Sequence, residues 1–131
     1  KERKIEIPTF ETVPLPADAV KITDIAEFNK FSIAVLEYIA VRHLELDDTD
    51  YYWSPSLAYR DRLIIPFYYE NRIVGWTART IAADKKPKYL NEQQAGYVYG
   101  LDKQTYDKQF AILVEGPVDA IHIDGCAIYI I

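Results

Sequence analysis

At 131 residues, half of them hydrophobic, the chain has the length of one domain and enough apolar residues for a core. No run approaches the ~18 apolar residues of a membrane span, and the charged start Lys1-Glu2-Arg3-Lys4 leads into no signal-type apolar stretch, so a soluble, cytoplasmic protein with no membrane partner is expected. The single cysteine, Cys126, excludes an internal disulfide and a cysteine-cluster zinc site within this chain.

The net charge of −5 is unevenly spread. Residues 1–58 hold six Lys/Arg against eleven Asp/Glu, residues 59–110 nine against six, and residues 111–131 none against three. A basic middle in an acidic chain is the footprint of polyanion binding, or an ordinary mixed surface. The chain contains no methionine, so it is expected to be a processed protein or a piece of a longer one.

Pro8, Pro14 and Pro16 make residues 1–22 an extended lead-in or linker. Asp24 and Glu27 have capping-box spacing. Ile33, Leu36, Ala40, His43 and Leu44 recur at helical spacing, so a helix is expected over 32–44, with Ser32 as its own N-cap. His43 reads as a surface group near the helix end, not a ligand. Asp47, Asp48 and Asp50 lack the glycine and distal glutamate of a calcium loop. They read as a helix start and a solvated turn, before residues 51–53 return to the core.

In "RLIIPFYYENRIVGWTART", Leu63, Ile65 and Phe67 alternate with Ile64, Pro66 and Tyr68. A returning strand over 73–80 makes a hairpin around Glu70-Asn71-Arg72. Gly75 marks a bulge or a close approach, and Pro66 an edge or a bulge. Residues 82–102 form a basic connection with little periodicity. Residues 111–114 read as a buried strand, Pro117 as the first turn of a helix that Gly125 closes, and residues 126–131 as a second buried strand. The fold class is α+β: an N-terminal mixed helix and β-hairpin subdomain over 23–110, then the first strand–helix–strand of an α/β domain over 111–131.

In "ILVEGPVDAIHIDG", Glu115 ends an apolar strand and Asp119 falls in the first turn of the next helix. Open α/β sheets place ligands at such strand ends, and two carboxylates suit a hard divalent cation. Both could equally be helix-start acids favoured by the macrodipole. Tyr89 and Tyr97 read either as stacking platforms for bases or as core residues.

"RDRLIIPFYYENRIVGWTART", "PKYLN", "YVYGLD" and "ILVEGPVDAIHIDG" follow one another in an order that resembles the catalytic core of bacterial and phage DNA primases of the Toprim superfamily, nearest to those of T-even-like tailed phages. The resemblance begins near Ala58. It implies synthesis of short RNA primers on single-stranded DNA from ribonucleoside triphosphates, by nucleotidyl transfer dependent on Mg²⁺ or Mn²⁺, with a replicative helicase as partner in the primosome. It implies Glu115 and Asp119 as catalytic and metal-binding carboxylates. Arg79, Lys88 and Asn91, with Tyr89 between them, and Arg62 would face template or nucleotide. The family's D-x-D pair is expected beyond Ile131 and its zinc-binding domain before this region, so the chain alone is expected to make no primer. The alternative function is a non-catalytic single-stranded-DNA-binding module with a primase-like fold.

Overall fold

A computed structural model describes residues 9–44, 50–101, 104, 112–114, 116–123 and 126–127. Its first helix, α1, spans Lys30–Val41. Asn29, with extended backbone, accepts hydrogen bonds from the N–H groups of Phe31 and Ser32, while the Ser32 hydroxyl accepts from the N–H of Asn29. This reciprocal pair satisfies the donors that a helix start leaves open. Ser32 is therefore not the N-cap, as expected from sequence, but sits three residues inside; Asn29 caps as well as a serine would. Asp24 belongs to a separate 3₁₀ turn, Ile22–Asp24.

The helix ends in a Schellman motif. Leu44 N–H donates to Ile39 C=O and His43 N–H to Ala40 C=O, with His43 at φ +53°. Glycine favours that left-handed position; histidine is strained there. His43→Gly is expected to raise stability by about 1 kcal/mol. A urea midpoint that rises at constant slope would show it.

Strands β1 (Val20–Lys21), β2 (Tyr52–Trp53), β3 (Arg62–Tyr69), β4 (Arg72–Thr80) and β5 (Tyr89–Glu92) form one antiparallel sheet in that order. β3 and β4 are the expected hairpin. Glu70 and Asn71 both take positive φ, +50° and +62°, which is the type I′ geometry that matches strand twist. Val74 is the extra residue of a bulge, since Phe67 pairs with Gly75 but Tyr68 with Ile73. β2 reaches only Ile64, so Pro66 lies beyond that ladder, although β3 is central in the sheet.

Alternation along the strands gives the sheet two apolar faces. Leu63, Ile65 and Phe67 pack against Val35 and Ile39 of α1, with Tyr97 and Tyr99. Ile64, Trp76 and Ala78 face the other way and are covered by Val13, Leu15 and Ala19. The described part of the expected lead-in is thus packed, not a free linker. Phe10 is buried, Val13 N–H donates to Ile73 C=O, Trp76 Nε1–H to Pro14 C=O, and Arg72 to Phe10 C=O. Gln94 exchanges hydrogen bonds with both backbone groups of Glu11 and donates to Val74 C=O, so a side-chain amide does the work of a strand.

β6 (Leu113–Val114) and β7 (Cys126–Ala127) pair in parallel across helix α2 (Pro117–Ile123). Val118 and Ala120 of α2 join the α1 side of the core. Among the described residues, no helix is long and apolar enough to cross a membrane.

Candidate nucleic-acid interface

The register of β3, β4 and β5 decides which polar side chains meet. Arg79 pairs with Leu63 on one side and Tyr89 on the other, which sets Arg79 and Tyr89 on the face that carries α1. Thr77 and Asn91 pair one step along the same face, where the Thr77 hydroxyl hydrogen-bonds Asn91 Oδ1. The Arg79 guanidinium lies 5.6 Å from the centroid of the Tyr38 ring and 5.5 Å from that of Tyr89, and donates to Thr80 C=O at 3.0 Å. Arg42, the C-cap of α1 four residues after Tyr38, lies 6.0 Å from the Tyr38 ring, and Lys88 Nζ lies 5.7 Å from the Tyr89 ring. Guanidinium and ammonium groups at these distances are attracted by the ring quadrupole.

Of these, Tyr38, Arg79 and Lys88 line a cleft of ≈ 400 Å³, together with residues 80–83, Lys85 and Lys86. Lys85 is tied to Asp61 at 2.8 Å; Lys86 and Lys88 are exposed. Arg79, Lys86 and Lys88 so offer positive charge to a ligand in the cleft, the Arg in a fork and the Lys as point charges.

Arg62 is not part of that surface, which corrects the expectation from sequence. It is 2% exposed, and its guanidinium donates to Ala78 C=O at 3.1 Å and Pro87 C=O at 2.8 Å. Burial lowers its pKa from the ordinary arginine value, against the opposing pull of Asp61 and Tyr59. Strand alternation explains the placement: Arg62 pairs with Thr80, on the face opposite Arg79. Its task is to hold the base of the lysine loop. Tyr97 is a core residue, 5% exposed, stacked on Phe67 with ring centroids 5.0 Å apart. Tyr89, by contrast, is half-buried and borders the cations.

Tyr89 also reaches the start of α2. A Cβ placed on Gly116 would stand 3.4 Å from the Tyr89 hydroxyl. Burial raises the Tyr89 pKa; Arg79 and Arg42 pull it down, while Tyr38 and Asp119 push it up. Asp119, exposed in the first turn of α2, therefore shares the electrostatic environment of Arg79, Arg42 and Tyr38. Glu115 lies outside the described residues. Among the described residues no three His, Cys, Asp or Glu side chains cluster as a metal site. The donor chemistry of Asp119 fits Mg²⁺ or Mn²⁺, which take carboxylate oxygens and keep several waters, but it supplies only one ligand.

Reading the sequence missed Tyr38 and Arg42. Their i, i+4 spacing, which stacks side chains along one helix face, was the signal available.

The described residues thus form a mixed helix and antiparallel-sheet unit with a cationic, aromatic-walled cleft. The family described as the DNA primase catalytic core, N-terminal domain, matches residues 7–111. The chain belongs to that family. It is 36% identical over 73 residues to a DNA primase of Legionella pneumophila, an alignment that covers 48% of this chain and 13% of the relative. The fold is similar to the E. coli primase catalytic core, with a TM-score of 0.55 and 16% identity over 76% of this chain and 48% of that one. A DNA primase domain from Pseudomonas aeruginosa aligns at a TM-score of 0.44 and 26% identity, over 70% of this chain and 33% of that one. The chain thus spans a minor part of these relatives' length.

Proposed function

We propose that the chain is the N-terminal part of a DNA primase catalytic core, of the kind found in T-even-like tailed phages, and that its cleft holds single-stranded template and ribonucleoside triphosphate. The convergence of Arg79, Lys88 and Tyr38 at the cleft, with Tyr89 against Arg79 and the start of α2, carries this reading. Cations there meet phosphates, and the half-buried Tyr89 ring offers a base a stacking partner. Asn91 hydrogen-bonds base or phosphate at the rim. In the whole protein, Glu115 and Asp119 of a Toprim unit would hold Mg²⁺ or Mn²⁺, which neutralises the reacting phosphates in primer synthesis. A replicative helicase is the expected partner, and the cytoplasm of the host cell the site of action.

The reading predicts salt-sensitive binding of labelled oligothymidylate to the chain. Arg79→Ala and Lys88→Ala should each weaken it by about tenfold and flatten the salt dependence by ~0.7 in the log–log slope, the share of one phosphate contact on a single strand. Unchanged affinity and slope in both would remove the cleft from the strand path.

A second reading, a non-catalytic single-strand-binding module, draws on the same cleft. Primer synthesis by the whole protein from template, ribonucleoside triphosphates and Mg²⁺ separates the two.

A further inference from the structure

We propose that Asp61 limits the affinity of the cleft: its carboxylate masks the charge of Lys85, so that a strand meets the cations of Arg79, Lys86 and Lys88 but not a fourth. The inference rests on the nucleic-acid reading of that cleft. Lys85 is among the residues that line it, whereas Asp61 is not. The Lys85 ammonium nonetheless donates to Asp61 Oδ2 at 2.8 Å, so its charge is compensated by an acid outside the lining. The loop carries three lysines, and this bond occupies one of them.

Backbone bonds hold both partners in place. Asp61 stands immediately before β3, and its C=O accepts from the N–H of Ile81, at the start of the loop, at 3.0 Å. Lys85 N–H donates to Ala82 C=O at 3.2 Å, and Arg62 holds Pro87 C=O at 2.8 Å. The course of the loop thus brings the lysine to the acid. The two side chains are 34% and 27% exposed, and a partly buried pair is screened by salt less than a surface pair. Lys21 and Asp50, by contrast, stand 3.7 Å apart at 43% and 48% exposure, the looser contact that surface ions make. A lysine adds to strand affinity by neutralising a phosphate and releasing its counterion. One already bonded to a carboxylate leaves that phosphate its counterion.

Three variants of the full chain test this with labelled oligothymidylate, read by fluorescence anisotropy across a salt series. Asp61→Asn keeps the shape and an acceptor for Lys85 but removes the charge. It is expected to bind roughly two- to fivefold tighter at low salt, with a log–log slope steeper by ~0.7, the share of one more phosphate. Asp61→Asn/Lys85→Met replaces the ion pair by two neutral groups and is expected to match the parent in affinity and slope. Asp18→Asn removes an exposed acid from the segment that covers the other face of the sheet, and is expected to match the parent as well. Thermal melts accompany each, because Asp61 also favours the charged form of the buried Arg62. If Asp61→Asn does not fold, Asp61→Ser takes its place.

An Asp61→Asn protein with the parent's affinity and slope, while Arg79→Ala and Lys88→Ala weaken binding, would overturn the mask and leave the reading of the cleft standing. A double variant that binds more weakly, with a slope flatter by ~0.7, would overturn it too, since Lys85 would then already meet a phosphate in the parent. A double variant that keeps the whole gain would show that Lys85 is not its source. A gain in Asp18→Asn equal to that in Asp61→Asn would reduce the effect to net charge and overturn the mask. If Arg79→Ala and Lys88→Ala both bind like the parent, the nucleic-acid reading fails, and the mask with it.

Discussion

Arg62→Met lowers the stability of the protein by about 2–4 kcal/mol. The guanidinium bonds two carbonyls that belong to different segments, Ala78 in β4 and Pro87 in the loop that follows. Methionine keeps most of the buried stem but donates to neither. An acceptor left unpaired in the interior is penalised by about 1–3 kcal/mol. The bond to Ala78 C=O is the buried one and bears the greater part of the loss, while Pro87 is exposed and its C=O can turn to water. Removing a desolvated charge works in the opposite direction, which keeps the expected total below that of breaking a buried ion pair. Chemical denaturation reads the difference, and hydrogen exchange locates it: amides 81–88 should lose protection first. An Arg62→Met protein as stable as the parent would mean that the charge's burial cancels both bonds. The variant also tests function at a distance, since the loop carries Lys86 and Lys88.

Gly75→Ala is expected to lower stability by a similar amount, about 2–4 kcal/mol, for a steric reason. A Cβ at this position would lie 2.3 Å from Glu92 C=O and 3.0 Å from a Phe67 ring carbon. The nearest atom is backbone, so relief requires β5 to move away from β4. Tyr89 and Asn91 would move with it, and oligothymidylate binding should fall together with protection of amides 89–92. Gly96→Ala is the control. Gly96 has φ +84°, and a methyl group there would meet nothing within 4 Å, so that change carries only the left-handed backbone strain of about 1–2 kcal/mol. Equal losses in the two variants would show that the contact with Glu92 does not matter.

The hairpin was legible because its apolar alternation runs through both strands and Asn71 favours the left-handed turn. The cationic cleft was half legible. Arg79, Lys88 and Tyr89 announced themselves by motif, and the structure brings them together. Arg62 did not declare its direction. In a strand, adjacent parity decides the face, and the parity of Arg62 against Arg79 depends on a register that only the folded pairing reveals. Arg42 and Tyr38 were hidden for another reason: apolar positions defined the helix, and a tyrosine and an arginine at its margin look like ordinary surface. The start of α1 was misplaced because Asn29 and Ser32 are both good caps, and they act as a pair. The packing of the N-terminal segment was invisible, since prolines announce extension but not what an extended chain lies against.

That segment has a consequence for the order of events in folding. The clip between Glu11 and Gln94 joins groups 83 residues apart, and the bond from Trp76 to Pro14 spans 62. The β3–β4 hairpin closes over a two-residue turn. Loop closure grows more unfavourable with separation, and contacts of long range form late. On a ribosome, this segment therefore emerges before the strands it covers and docks after them. Until Leu90 has been synthesised, the Ile64–Trp76–Ala78 face of the sheet has only part of its cover in place.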